Sequence, residues 1–212
     1  MRTNRRNFVA SLAILSNFPG ISWALTNAVE GKNYTKLSRP IPVADPAKIE
    51  VVEFLGYWCP HCAHFEPKLE AWVKKLPQSV SFRRLPVAWQ SSQELLQRLY
   101  FALEVMSVTP EFHQKVFDAI HVKKLRLDTE SAISSFAKEN ALDPEKIISI
   151  MKGFTVSAKL NSAKQTLASY NIEGVPTLAV NGQYLTSPEQ AGGEEASLEV
   201  IDSILKKISK NG

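Results

Sequence analysis

The sequence predicts an α/β fold in which a sheet is interrupted by a block of helices. A strand pattern over residues 49–55 precedes a helical pattern and a second strand pattern, and a hairpin with a final helix comes near the C-terminus. Between these two parts, residues 92 to about 170 carry helical periodicity throughout. The chain is therefore expected to build one sheet from two separated segments.

The first part of the pattern contains three extended segments and one helix. An extended segment around Tyr34 to Leu37 comes first, and the mostly apolar run Ile49–Leu55 is typical of a buried strand. Apolar residues then recur at helical spacing, which predicts a helix from about Cys59 to Lys75. The alternating residues 80–87 predict the next strand.

Start and stop signals divide the helical block into several pieces. Thr109-Pro110 predicts the cap and the start of a second helix after the first apolar stripe. A third helix is predicted to begin at Asp128 or Thr129, and a fourth at Asp143, before a long fifth. The apolar stripes of these helices indicate packing into a core.

A hairpin and a final helix complete the chain. Strand patterns at 177–180 and 183–185 flank Asn181-Gly182, a dipeptide that strongly favours a two-residue hairpin turn. The final helix has the apolar face Leu198, Ile201, Ile204, Leu205 and Ile208. We therefore divide the mature chain into a first part of the sheet domain at 29–90, a helical insertion at 91–171 and a second part of the sheet domain at 172–212.

Residues 1–28 have the pattern of a signal peptide. The first six residues are basic, and the stretch from Phe8 to Phe18 is mostly apolar but too short for an ordinary membrane span. Cleavage after Ala24 or after Ala28 fits the pattern, and we favour Ala28. One arginine pair is weak evidence for twin-arginine export, so we expect the ordinary Sec route to the periplasm.

The charge of the mature chain argues against nucleic-acid binding. Removal of residues 1–28 takes away three arginines and no acid, which lowers the formal charge from +4 to about +1. No lysine- or arginine-rich run with interleaved aromatic residues remains. About 184 residues are left, which is enough for one compact domain or a domain with an insertion.

The only two cysteines of the chain form the motif Cys59-Pro60-His61-Cys62. Cys59 is predicted to stand at a helix N-terminus, where free N–H groups and the helix dipole favour the thiolate that attacks disulfides. Cys62 lies one turn further along and can close a disulfide with it. Because disulfides persist outside the cytosol, an exported protein with this pair is expected to be a disulfide catalyst.

Two other roles for the pair stay open at this point. A structural disulfide across so short a loop would remove little entropy from the unfolded chain and would stabilise weakly. A zinc site would draw on both cysteines, His61 and His64, but the other histidines, His113 and His121, stand in no ligand motif. We therefore expect neither a metal nor a cofactor.

The order of elements and the motif resemble the DsbA family of periplasmic disulfide oxidases, which have a thioredoxin-like fold with an inserted helical domain. The likeness covers nearly the whole mature chain. It rests on the following segments: Glu30-Gly31-Lys32-Asn33-Tyr34, Val52-Glu53-Phe54, Cys59-Pro60-His61-Cys62, Phe65-Glu66, Gly174-Val175-Pro176 and Val180-Asn181-Gly182.

The resemblance implies roles for individual residues around the motif. Cys59 matches the family's exposed nucleophile, Cys62 matches its buried partner, and His61 matches the histidine that helps to stabilise the thiolate. Pro176 matches a proline held in the cis form, next to which Val175 would offer its backbone to an extended substrate.

Glu53 matches an acidic residue beneath the family's active site. A buried carboxyl is costly to ionise, so a raised pKa would suit it to move a proton for Cys62; a purely structural carboxylate is the alternative. Arg84 stands where the best-known members have a lysine near this acid. Because arginine stays charged, a shared-proton role at that position is in doubt.

The resemblance also implies an activity and partners. The chain is expected to donate the Cys59–Cys62 disulfide to unfolded exported proteins with free thiols and to be reoxidised by a membrane quinone-linked partner of the DsbB type. A disulfide isomerase or reductase of the same fold is the alternative, as is a peptide-binding chaperone without redox turnover. No spare dimerisation segment precedes residue 48, so a monomer is expected.

Overall fold

The computed structural model describes residues 28–211, and side chains over 28–210. The predicted signal peptide therefore lies outside the described residues, apart from Ala28 at its end. Within the described part, no helix is both long and apolar enough to cross a membrane.

A five-stranded mixed sheet forms the centre of the described structure. Its strands are β1 (Thr35–Lys36), β2 (Ile49–Leu55), β3 (Val80–Pro86), β4 (Thr177–Val180) and β5 (Tyr184–Thr186). The spatial order is β1-β5-β4-β2-β3, with β2 parallel to β3 and antiparallel to β4. The thioredoxin-like sheet predicted from the sequence is confirmed, with strands from both ends of the chain meeting at β2 and β4.

Helix α1 (Pro60–Val73) connects the parallel strands β2 and β3. Four residues separate its start from the end of β2, so the motif Cys59–Cys62 lies at the carboxyl end of β2. The helix is slightly shorter than the predicted Cys59 to Lys75. Cys59 is its N-cap, and Lys74 is its C-cap.

The helical insertion between β3 and β4 contains α2 (Ser91–Val105), α3 (Thr109–Phe117), α4 (Glu130–Glu139), α5 (Pro144–Lys152) and α6 (Phe154–Tyr170). Thr129 is the N-cap of α4 and Asp143 the N-cap of α5, each with its side chain accepting backbone N–H bonds. The predicted cap at Thr109 is wrong, because Val108 is the N-cap of α3. A π-helical turn, Asp118–Val122, follows α3 and was not predicted.

The C-terminal part forms the predicted hairpin and final helix, with two differences. Asn181, Gly182 and Gln183 join β4 to β5, one residue more than a two-residue turn, and the first two have positive φ angles of 51° and 64°. A side chain at Gly182 would clash with the Ile41 carbonyl, so both conformation and space require glycine. A short helix α7 (Pro188–Ala191), not predicted, precedes the final helix α8 (Glu194–Asn211).

The two faces of β2 meet different layers of the structure. Val52 and Phe54 belong to the core that the helical insertion covers, whereas Val51 packs with α1 and α8 on the other face. Side chains alternate along a strand, so Glu53 points to the same side as Val51, beneath α1. The fold thus places one carboxyl on a face that is otherwise apolar.

Candidate active site

Cys59 occupies the position of greatest positive potential on α1, its N-cap. Its backbone is extended there (φ −89°, ψ 118°), and its Sγ accepts a hydrogen bond from the Cys62 amide at 3.4 Å. Pro60 is the first residue of the helix, a position where proline needs no hydrogen-bond partner. The sequence prediction of a cysteine at a helix start is confirmed.

The two cysteines have opposite ionisation tendencies. The hydrogen bond from the Cys62 thiol, with smaller contributions from the Cys62 and His61 amides and the His61 charge, lowers the pKa of Cys59 from 9.0 to about 6, although burial opposes the shift. Burial, the hydrogen bond to Cys59 and the charges of Cys59 and Glu53 raise the pKa of Cys62. In the dithiol form described here, a thiolate therefore forms on Cys59 while Cys62 keeps its proton.

The exposure of Cys59 differs from the expectation. The resemblance implied an exposed nucleophile, but Cys59 is only 4% exposed, against 0% for Cys62. The Cys59 Sγ lies 3.5 Å from the Val175 carbonyl oxygen, and this neighbouring loop limits the approach of solvent. Cys59 is the outer of the two sulfurs, but it is not freely exposed.

The loop that covers Cys59 contains a cis peptide bond between Val175 and Pro176, as the sequence comparison with the family implied. Pro176 is buried and Val175 half-buried. An open groove of about 490 Å³ runs beside this loop; it is lined by His61, Gly174, Val175, Pro176, Thr177, Ser187, Pro188, Glu189 and Glu194. His61 is the residue of the motif that lines this groove, and Val175 joins the groove to the Cys59 sulfur.

Glu53 lies wholly buried at the inner side of the motif. Burial, together with the nearby Glu66 carboxylate, raises the pKa of Glu53 well above 4.5, while Arg84 opposes the shift. Arg84 is its neighbour in register on β3, and Arg84 Nε lies 3.2 Å from Glu53 Oε2. A carboxyl with a raised pKa thus lies close enough to both cysteines for the charges to interact.

Arg84 joins Glu53 to two carboxylates of α1. Its Nη2 donates to Glu66 Oε1 in a short contact and to Glu70 Oε2 at 2.9 Å. Burial alone would lower the pKa of Arg84, but the Glu66 and Glu53 carboxylates raise it. Arg84 therefore remains a fixed cation, which excludes it as a proton carrier.

Glu66 is a second buried acid beneath the motif, and its role was not predicted from the sequence. Its exposed fraction is 2%, and its Oε2 lies 3.1 Å from Nε2 of the buried His113. The position of Glu66 four residues after Cys62, on the inner face of α1, was the available signal. An acid among apolar positions of a buried helix face needs a charged or hydrogen-bonding partner, so its position indicated a buried ion pair.

The histidines of the motif region do not converge on a metal. His61 is exposed beside the groove, and His64 Nδ1 instead contacts Glu194 Oε1 at 2.6 Å. Among residues 28–211, no group of three or more His, Cys, Asp or Glu side chains is placed to hold a metal ion.

A dithiol with one stabilised thiolate, at the start of a helix and beside a cis-proline loop on a mixed sheet, defines a thiol:disulfide oxidoreductase of the thioredoxin fold. A family model described as Thioredoxin matches residues 44–202. The Thiol:disulfide interchange protein DsbA of Pseudomonas aeruginosa is 37% identical over 95% of this chain and 96% of its own. The chain belongs to the DsbA family.

Other comparisons support the same family. The DsbA of Bordetella pertussis is 37% identical over 87% of this chain and 88% of its own. The crystal structure of Pseudomonas aeruginosa DsbA matches with a TM-score of 0.82 at 38% identity, over 85% of this chain and 94% of that structure. The crystal structure of the oxidoreductase DsbA from Xylella fastidiosa matches with a TM-score of 0.80 at 28% identity, over 86% of this chain and 98% of that structure.

Proposed function

We propose that this protein oxidises pairs of thiols in exported proteins by donating its Cys59–Cys62 disulfide. The observation that supports this direction is the low pKa of Cys59, about 6, next to the high pKa of Cys62. A stabilised thiolate favours the reduced form of the protein. The disulfide is then a correspondingly strong oxidant.

The first step is the attack of a substrate thiolate on the Cys59 sulfur. The bond between the two enzyme sulfurs breaks, and the electron pair goes to Cys62. Cys62 then takes up a proton because its thiolate is unfavourable in that buried position. Glu53 is the proposed donor, since its raised pKa favours the protonated carboxyl and its charge interacts with that of Cys62.

The second step releases the oxidised substrate. A second substrate thiolate attacks the substrate sulfur of the mixed disulfide, and Cys59 leaves as a thiolate. Its hydrogen bonds from Cys62 and the charge of His61 make Cys59 the better leaving group. Two electrons pass from the substrate to the protein, which ends as the dithiol.

The cis-proline loop is the proposed docking site for the substrate chain. Val175 and Pro176 line the groove beside the motif, and the Val175 carbonyl already contacts the Cys59 sulfur. An extended peptide placed along this loop would bring its own sulfur next to Cys59. His61 also lines this groove, and the neighbouring Pro60 is exposed.

The compartment and the reoxidising partner are further parts of the proposal. Proteins of the DsbA family act in the periplasm on thiol-containing proteins, and we propose the same compartment for this chain, reached by the Sec route. We further propose that it works as a monomer, and that a quinone-linked membrane protein of the DsbB type accepts its electrons. The division at residues 91 and 171 stays a prediction.

A disulfide isomerase or reductase is the nearest alternative activity, and a chaperone without redox turnover is the more distant one. An isomerase rearranges a substrate with wrongly paired disulfides, whereas an oxidase acts on a fully reduced one. The two cysteines separate the chaperone from both, because a chaperone would keep its activity after they are replaced.

The test is oxidative folding of a reduced, unfolded protein whose native state requires disulfides. We expect the oxidised protein to transfer one disulfide per molecule, with Cys59→Ser inactive. Cys62→Ser should accumulate the mixed disulfide through Cys59, which non-reducing gels would reveal. Faster rescue of a scrambled substrate than of a reduced one would contradict the oxidase assignment.

A further inference from the structure

Tyr57, two residues before the nucleophile, is held at both ends by histidines of the helical insertion. His121 Nε2 lies 2.8 Å from the Tyr57 carbonyl oxygen, and His113 Nδ1 lies 2.9 Å from the Tyr57 hydroxyl. Tyr57 is only 2% exposed. Its ring packs edge-on against Phe117, with a centroid distance of 5.0 Å.

His121 is the donor in its hydrogen bond with the Tyr57 carbonyl. A carbonyl oxygen only accepts hydrogen bonds, so Nε2 of His121 carries the proton and donates it. His121 lies in the π-helical turn Asp118–Val122, a rare structure that is frequently found at functional sites. This turn directs a ring from the insertion onto the backbone of the active-site loop.

His113 connects the other end of Tyr57 to the buried charges. Its Nε2 lies 3.1 Å from the Glu66 carboxylate, which favours a proton on that nitrogen. Nδ1 is then free to accept the hydrogen bond that the Tyr57 hydroxyl donates. His113 is 5% exposed, so its two polar contacts are made in the interior.

The short segment from β2 to α1 transmits the position of Tyr57 to Cys59. The Cys59 amide donates to the Gly56 carbonyl at 2.9 Å, which closes a tight turn around Tyr57. The Trp58 indole donates to the Val87 carbonyl at 3.1 Å. A displacement of Tyr57 therefore moves the N-cap residue relative to the helix amides that stabilise its thiolate.

We propose that His121 and His113 are positioning residues for the nucleophile: by holding Tyr57 at its carbonyl and its hydroxyl, they let the helical insertion set the N-cap geometry of Cys59. Neither histidine touches a reacting sulfur. The inference rests on the proposed role of Cys59 as nucleophile, and it gives the insertion a part in the chemistry besides covering the sheet.

A pair of substitutions at His121 tests the proposal. His121→Gln keeps an N–H donor at about the reach of Nε2, whereas His121→Leu keeps comparable bulk without a donor. The measurement is the ultraviolet absorbance of the thiolate of the reduced protein as a function of pH. We expect His121→Leu to shift the midpoint of Cys59 upward by about half to one pH unit, the size of one weakened hydrogen bond. His121→Gln should titrate close to the wild type.

A substitution at Tyr57 tests the contact with His113. Tyr57→Phe removes the hydroxyl but keeps the ring and the main-chain carbonyl, and it should also raise the titration midpoint of Cys59. Ile133→Ala, at a fully buried position of α4 outside the segment from β2 to α1, is the control for general loss of stability. It should lower the thermal midpoint without moving the titration of Cys59.

Each outcome has one meaning. If the Cys59 midpoint is unchanged in His121→Leu, or rises equally in His121→Leu and His121→Gln, the proposed role of His121 is wrong. If the midpoint is unchanged in Tyr57→Phe, the proposed role of His113 is wrong. A shift in Ile133→Ala as large as in His121→Leu would reduce both to structural residues. If the wild type itself shows no thiolate near pH 6, the proposed function fails instead, independently of the variants.

Discussion

The amide nitrogen of Cys62 lies 3.4 Å from the Cys59 sulfur, and the Cys62 thiol also donates to that sulfur. The inner cysteine thus stabilises the outer one as a thiolate, in addition to being its partner in the disulfide. Oxidation removes both the thiolate and this stabilisation. The redox state and the stability of the protein are therefore linked.

The excess stability of the reduced form over the oxidised form should depend on pH. The pKa of Cys59 is lowered from 9.0 to about 6, so its contribution is fully present above the unfolded value and is lost as pH falls through the folded value. We expect the difference in unfolding free energy to shrink between about pH 9 and about pH 6. Denaturant unfolding of both forms measures it, and a pH-independent difference would contradict the thiolate account.

His61→Ser should raise the pKa of Cys59 and make the disulfide less oxidising. The positive charge of His61 is one of the groups that favour the thiolate, whereas the Cys62 donors remain in the variant. His64→Ser is the matched control, because His64 lies on the same helix but pairs with Glu194. Equilibration with glutathione measures both variants. Equal redox potentials for the His61 variant and the wild type would mean that the hydrogen-bond donors alone stabilise the Cys59 thiolate.

Glu53→Gln should stabilise the oxidised protein increasingly as pH rises. A carboxyl with a raised pKa contributes stability below its unfolded value that is lost as pH rises through its folded value. Unfolding of wild type and variant at about pH 5 and about pH 8 shows the trend. Glu70→Gln should show no such rise, because Arg84, against the effect of burial, lowers the pKa of Glu70. If the unfolding free energies of the wild type and of Glu53→Gln change in parallel with pH, burial does not raise the pKa of Glu53.

Arg84→Met should be strongly destabilising. It leaves the buried Glu66 carboxylate without its cation, and removal of one partner of a buried pair costs about 3–5 kcal/mol. Lys74→Met breaks only an exposed pair with Glu70 and should cost less than about 0.5 kcal/mol. Similar unfolding free energies for the two variants would show that Arg84 does not balance the Glu66 charge.

Local patterns were sufficient to predict the strands, the motif and the hairpin. The run Ile49–Leu55, the N-cap position of Cys59 and the turn at Asn181-Gly182 each depend on neighbouring residues, and all three are confirmed. The roles of Glu53 and Pro176 came from resemblance to a family, since neither burial of one carboxyl nor a cis bond follows from spacing alone.

Contacts between distant segments account for what the sequence did not predict. His113 and His121 stand in no motif, yet they meet Tyr57 across more than fifty positions of the chain. In the sequence, His113, Phe117 and His121 are spaced four positions apart, which places them on one face of a helix; this was the available signal. The burial of Cys59 likewise depends on Val175, which is brought there by the sheet.

The redox potential of the Cys59–Cys62 pair, measured by equilibrating the purified protein with glutathione, tests the central claim most directly. A thiolate stabilised on Cys59 predicts an oxidising pair, with a potential less negative than about −200 mV. A potential near about −270 mV, typical of a reducing thioredoxin, would contradict the account.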